Sequence, residues 1–161
     1  MNINQNKLTF IDITLDRLLQ DINELKVALN LLHRDFEENN LSSDNYSNIC
    51  RYLDLKTQYD EIDSEYKSQI ESISFQKKKY QQIDRILDNS NQVKYTIKKI
   101  YEILIKRNEH YLSYITENKR LSLSTIKRRY ELTLKSDGWG SAKATYLSSL
   151  ANEIDFRKAS V

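Results

Sequence analysis

The sequence predicts an all-α protein: an elongated antiparallel three-helix coiled-coil bundle followed by a short C-terminal amphipathic helix. Three observations predict it. Of the 161 residues none is proline and only two are glycine, Gly138 and Gly140, so the strongest punctuators of turns are missing before residue 138. An all-β or α/β chain of this length would need many tight turns, and the residues that adopt positive-φ turns without strain are nearly absent. Apolar residues recur at alternating spacings of three and four over long stretches, the signature of heptad seams. The content, 39% hydrophobic and 30% charged, is that of a folded chain.

The first seam is Ile11, Leu15, Leu18, Ile22, Leu25, Leu29, Leu32 and Phe36. Thr9 followed three residues later by Asp12 resembles a helix start, because a hydroxyl accepts a first-turn N–H and an acid favours the positive end of the dipole. The spacing therefore predicts a helix over about 9–38, ended by the polar stretch from Asn39 to Asp44. The second seam is Tyr52, Leu55, Tyr59, Ile62, Tyr66, Gln69, Ile73, Gln76, Tyr80, Ile83 and Leu87, predicting a helix over about 44–89. Glutamines and tyrosines in that seam make it wetter than the first, since polar seam residues fix register at the expense of stability.

Asp88-Asn89-Ser90-Asn91 reads as the next break, because these side chains compete for backbone hydrogen bonds and favour caps. The third stripe is Val93, Ile97, Ile100, Leu104, Arg107, Tyr111, Tyr114, Asn118 and Leu121, continuing or restarting through Leu132 to about Lys135. The second and third helices, about 45 residues each, would be nearly 70 Å long, and short connections make consecutive helices antiparallel. Residues 1–135 are thus expected to form the bundle, and residues 136–161 a glycine-containing loop and a tail. In the tail Ala142, Tyr146, Leu147, Leu150, Ala151 and Ile154 fall on one side, a detached amphipathic helix over about 141–155. A helix that short is marginal alone and must dock on its own bundle or on a partner.

The net charge of +2 hides an asymmetry. Residues 1–75 hold 7 Lys/Arg against 14 Asp/Glu, and residues 76–161 hold 18 against 9. Two oppositely charged arms lying side by side account for this, and so does an anionic partner for the basic half. The lone Cys50 excludes an internal disulfide, and no apolar run approaches the roughly 20 residues that span a bilayer, so a cytoplasmic location is expected.

Catalysis has little to work with. His33 and His110 stand apart, His33 with Glu37 makes at most half a metal site, and no Gly-rich phosphate loop or nucleophile elbow is present. The expectation is a non-enzyme with no cofactor and no metal. Leu121 to Tyr130 looks like the turn and second helix of a degenerate helix-turn-helix over 112–135, with Lys119, Arg120, Lys127, Arg128 and Arg129 placed for phosphates.

The last residues, Asn152-Glu153-Ile154-Asp155-Phe156-Arg157-Lys158-Ala159, are similar to the C-terminal signature of FlgN-type flagellar export chaperones, an Asp-x-x-Lys-Ala-like ending. Leu18-Leu19 through Leu31-Leu32 with Glu37, then Lys56, then Arg107-Asn108 leading into Tyr111-Leu112 fall in the order such chaperones show. The resemblance implies a cytoplasmic chaperone that binds the C-terminal helices of hook-filament junction proteins and keeps them unassembled and ready for export. The third helix and the tail would then meet the client, through Tyr111, Tyr114, Trp139, Tyr146, Leu147, Leu150, Ile154 and Phe156. The alternatives are a nucleic-acid-binding accessory protein and a coiled-coil structural subunit, and heptad seams serve self-association equally well.

Overall fold

In a computed structural model of the chain, residues 3–38, 45–73 and 80–159 are described, with side chains for all of these except 3–9, 72 and 107–109. Every element among them is an α-helix: α1 (Ile3–Glu37), α2 (Tyr46–Ser72), α3 (Gln81–Asn118), α4 (Leu123–Lys135) and α5 (Ala142–Ala159). None of the described helices is long and apolar enough to cross a membrane. The chain divides into two compact units, Met1–Leu41 with Arg51–Ile100, and Ser42–Cys50 with Tyr101–Val161.

In the first unit the α1 seam faces inward as its spacing predicts, with every residue from Ile11 to Phe36 in that stripe buried. One cluster joins Ile11, Leu15 and Leu18 of α1 to Tyr66 of α2 and to Ile73, Tyr80, Ile83 and Ile86. A row of polar contacts runs beside it. Gln82 donates to Asp12 and Asp16 at 2.7 and 2.8 Å, Asn89 donates to Asn23 at 2.6 Å, and Lys26 donates to Asn89 at 3.3 Å. Thr96 Oγ1 lies 3.0 Å from both Asn30 Oδ1 and its own helix's Gln92 carbonyl. The pairs Asp16 with Gln82, Asn23 with Asn89 and Asn30 with Thr96 advance by seven residues on both helices, so α1 and α3 run the same way at a fixed offset. Tyr59 pairs with Ser90 at 2.9 Å and Tyr52 with the Ile97 carbonyl at 3.5 Å, so α2 runs opposite to α3. Arg17 of α1 pairs with Glu65 of α2.

Several boundaries correct the sequence reading. Thr9 lies inside α1, which begins at Ile3, so it is not the cap. The expected turn at 39–44 lies outside the described residues, as does Gln76; Asn45 caps α2 by accepting the Asn48 N–H at 3.2 Å. The expected helix over 44–89 is instead α2 ending at Ser72 and α3 beginning at Gln81. Asp88 to Asn91 does not break the chain, because α3 continues through it to Asn118. The physical reason is that these side chains find partners away from the backbone: Asn89 on α1 and Ser90 on Tyr59 across the seams, and Asp88 on Gln92 one turn on along α3. A polar side chain satisfied by a neighbouring helix has no need of the backbone hydrogen bonds that would make it a cap. Leu87 drops out of the seam and is exposed, its place taken by Ile86. The third helix stops at Asn118, and α4 is a restart.

Charge is nearly balanced within the first unit, where 14 Lys/Arg stand against 15 Asp/Glu, because the acidic sequences of α1 and α2 share it with the Lys77-Lys78-Lys79 run and the more basic 81–100 stretch. The second unit holds 11 against 8.

Leu18→Ala opens a cavity in a closely packed seam and should cost about 2–5 kcal/mol in chemical denaturation, while Leu87→Ala should stay within about 0.5 kcal/mol. Burial raises the phenol pKa of Tyr66, helped by Asp84 and Asp63, and that of Tyr80, helped by Asp12. A raised folded-state value means that the stabilisation is full below the ordinary tyrosine pKa near 10 and is lost as pH climbs through the folded value. The urea midpoint should therefore fall as pH rises above about 10, together with the rise in tyrosinate absorbance.

Candidate interaction surface

The second unit is built on the end of α3. Past Asn118 a four-residue turn leads to Ser122, whose extended backbone and Oγ, accepting the Thr125 N–H at 3.2 Å, cap α4. Ile126 and Thr133, seven residues apart, are the buried side of α4. At its other end Lys143 reaches back and donates to the Leu134 and Ser136 carbonyls at 3.0 and 2.9 Å. A cation there both satisfies acceptors that the helix leaves orphaned and suits the negative end of the dipole. Gly138 and Gly140 take positive φ, +88° and +60°, a conformation that side-chain-bearing residues rarely adopt. Between them Trp139 stacks on Tyr146 of α5 at 5.0 Å and donates its indole N–H to Ser136 at 2.9 Å. Tyr114 meets the same Tyr146 edge-on at 4.9 Å, and Ile126, Tyr146 and Leu150 form the unit's apolar centre.

Beside that centre lies a buried polar cluster. Glu153 of α5, its side chain only 2% exposed, accepts from Arg157 at 2.8 Å and lies 3.0 Å from the Lys119 ammonium. Arg157 also donates to the Asn118 carbonyl at 3.1 Å, and Asn118 donates to Ser149 at 3.0 Å. Lys119 sits 4.0 Å from the Phe156 ring centre and 5.3 Å from that of Tyr46, which packs edge-on against Phe156. Asn152 donates to the Tyr111 hydroxyl at 2.8 Å. A carboxylate this deeply buried is tolerable because two cations and directed donors compensate its lost hydration.

The expected client-binding residues thus divide. Tyr111, Tyr146 and Leu150 are buried within the unit, while Tyr114, Trp139 and Ile154 are half-buried against its apolar centre. Leu147 is half-buried, and Phe156 stands at the edge of the Lys119 cluster. The tail, whose docking the sequence left open between its own bundle and a partner, is not detached: α5 packs on α4, with Tyr146 and Leu150 of its stripe in the core and Ile154 half-buried against it. The stretch from Asn152 to Ala159, which carries the chaperone resemblance, places Asn152, Glu153, Phe156 and Arg157 in the contacts that fasten α5.

The expected phosphate-binding cations divide as well. Lys119 is held by Glu153, and Arg129 by the Tyr146 hydroxyl at 3.4 Å and Glu117 at 3.1 Å, which together push the Arg129 pKa further up. Arg120, Lys127 and Arg128 are exposed. Sequence reasoning missed Glu153, Ser149 and Asn118 as a cluster, and it missed Leu134, which is 49% exposed; Leu132, expected to continue the third stripe, is instead 59% exposed. Both leucines fall off the Ile126 and Thr133 stripe, a signal that helical periodicity could have supplied.

Elsewhere, a groove of about 380 Å³ opens between α1 and α2, floored by Leu25, Leu55 and Ile62 and rimmed by Asp21, Glu24 and Glu61. His33 pairs with Glu37 at 3.1 Å, and among the described residues no group of three metal-ligating side chains occurs. No family model matches the chain, and neither a curated protein nor a solved structure matches it.

Glu153→Gln removes the charge that Lys119 and Arg157 share and should lower stability by about 1–3 kcal/mol in urea denaturation. The exposed Asp155→Asn should leave the midpoint nearly unchanged.

Proposed function

We propose that the protein is a non-catalytic helical binding protein that holds a helix of another protein, a cytoplasmic export chaperone of the FlgN type whose clients are flagellar hook-filament junction proteins. The observation that carries the reading is the outer side of α4. That helix is anchored through Ile126 and capped at its start by Ser122, yet keeps Leu132 and Leu134 in solvent. Lys127, Arg128 and Lys135, with the single acid Glu131 among them, occupy the exposed arc between the leucines. A fixed helix with leucines flanking a cationic arc suits an amphipathic client helix with acidic residues, in the helix-in-groove manner, and its rigidity lowers the entropy lost on binding. The buried stripe of α5 then supports α4 from behind. The antiparallel three-helix coiled coil implied by the heptad seams is supported by the cross-helix pairs of the first unit and serves as scaffold. The likeness of the Asn152 to Ala159 stretch to the chaperone signature supports the client class.

A second reading rests on the same helix. Exposed Lys127 and Arg128 after a four-residue turn also suit a nucleic-acid backbone.

The double substitution Leu132→Glu and Leu134→Glu should abolish co-purification of a hook-filament junction protein from the native cell while leaving circular dichroism and Tm unchanged. Retention of that client by the double variant would sink the α4 surface as its site. Binding of random duplex DNA that weakens steeply with salt, and that is lost in Lys127→Glu with Arg128→Glu, would favour the second reading.

A further inference from the structure

The outer face of α1 carries a second stripe that the core does not use. Phe10, Ile13, Arg17, Gln20, Glu24, Val27 and Leu31 follow one another at spacings of three and four, and all of them are exposed. Its four apolar members, Phe10, Ile13, Val27 and Leu31, are 65%, 63%, 58% and 48% exposed. Singly exposed apolar residues are ordinary on a protein surface, but a row at heptad spacing is the pattern of a helix-pairing seam. The order also matters. From either end the stripe reads two apolar residues, a charge, glutamine, the opposite charge and two apolar residues.

We propose that this face is a two-fold interface between two copies of the chain, α1 against α1 in opposite directions, with the symmetry axis at Gln20. A two-fold contact requires a self-complementary patch in which residue i meets j and j meets i. Antiparallel pairing about Gln20 sets Phe10 against Leu31 of the second copy, Ile13 against its Val27, and Arg17 against its Glu24, each twice. Parallel pairing would instead put Arg17 on Arg17 and Glu24 on Glu24, so charge selects the direction. Arg17 already bridges Asp21 and Glu65, and Glu24 accepts an amide hydrogen from Gln20 at 3.2 Å. A guanidinium has five donors and a carboxylate accepts several bonds, so both can take a further partner. The stripe is about 30 Å long and narrow, which implies a small interface and a dimer of roughly micromolar affinity.

Sedimentation of the full chain over a range of concentrations should show reversible dimerisation. Arg17→Glu and Glu24→Arg, each alone, place like charges opposite one another twice and should weaken the dimer at least about fivefold. The two together restore opposite charges and should restore the dimer. Glu24→Arg leaves the Arg17 pair with Glu65 in place, and because Glu24 also rims the groove between α1 and α2, an unchanged Tm beside the weakened dimer separates the interface from α1 packing on α2. In a Cys50→Ser background, Gln20→Cys should cross-link two copies under mild oxidation. Phe10→Cys should not, because two copies of residue 10 would lie about 30 Å apart. A chain that stays monomeric with no Gln20→Cys cross-link overturns the proposal. So does a charge swap that fails to recover the dimer, or cross-linking through position 10 in place of 20.

Discussion

One polar contact per heptad holds α1 and α3 in register, and the arrangement of the first unit depends on it. Leucine and isoleucine seams are nearly periodic, so apolar burial alone distinguishes poorly between alignments that differ by a whole repeat. Sliding α1 by seven residues would bring Asn23 to Gln82 and Asn30 to Asn89, carrying Asp16 away from Gln82 and past the start of α3. A slip of three or four would separate all three pairs. The hydrogen bonds lost on slipping, one of them to the buried Thr96 hydroxyl, supply the discrimination that hydrophobicity lacks. With α1 and α3 so aligned, the Tyr59 and Ser90 hydroxyls place α2 against them in the opposite sense.

Periodicity made the helices and much of the core legible in the sequence. The α1 seam is buried throughout, and Tyr52, Leu55, Tyr59, Tyr66, Val93, Ile100 and Leu104 fall where their spacing puts them. The ends of helices were less legible, for two opposite reasons. No glycine or proline marks the passage from α2 to α3, so the seam reads on from Ile73 through Tyr80 to Ile83 as if unbroken. The cluster from Asp88 to Asn91 looks like a break and is not one, since whether Asn89 caps a helix or joins two is decided by Asn23 and Lys26, far away in sequence. Local composition records what a side chain can do, and tertiary contacts decide which of those things it does.

The same limit governs the second unit. Lys119 read in the sequence as a phosphate contact and Glu153 as one residue of a C-terminal signature, yet Glu153 is among the most buried side chains of α5 and Lys119 lies against it. The aromatic residues Tyr111, Tyr114, Trp139 and Tyr146 were visible as a group, but sequence could not tell a group that awaits a partner from one that packs on itself. The structure brings them onto α5, and what stays outward on α4 is a leucine pair flanking lysine and arginine.

Arg157 gives the second unit a temporal order. Its guanidinium closes on the Asn118 carbonyl and on Glu153, so the end of α3 is sealed by a residue made 39 positions later. On the ribosome, domains tend to fold as their residues emerge, and the first unit has all its parts once residue 100 is out. The second must wait, with Asn118 and Ile126 uncovered, until α5 has left the tunnel. During that interval Ile126 and the aromatic side chains are open to other nascent chains and to folding helpers, so how long the second unit's centre stays exposed is set by the arrival of α5.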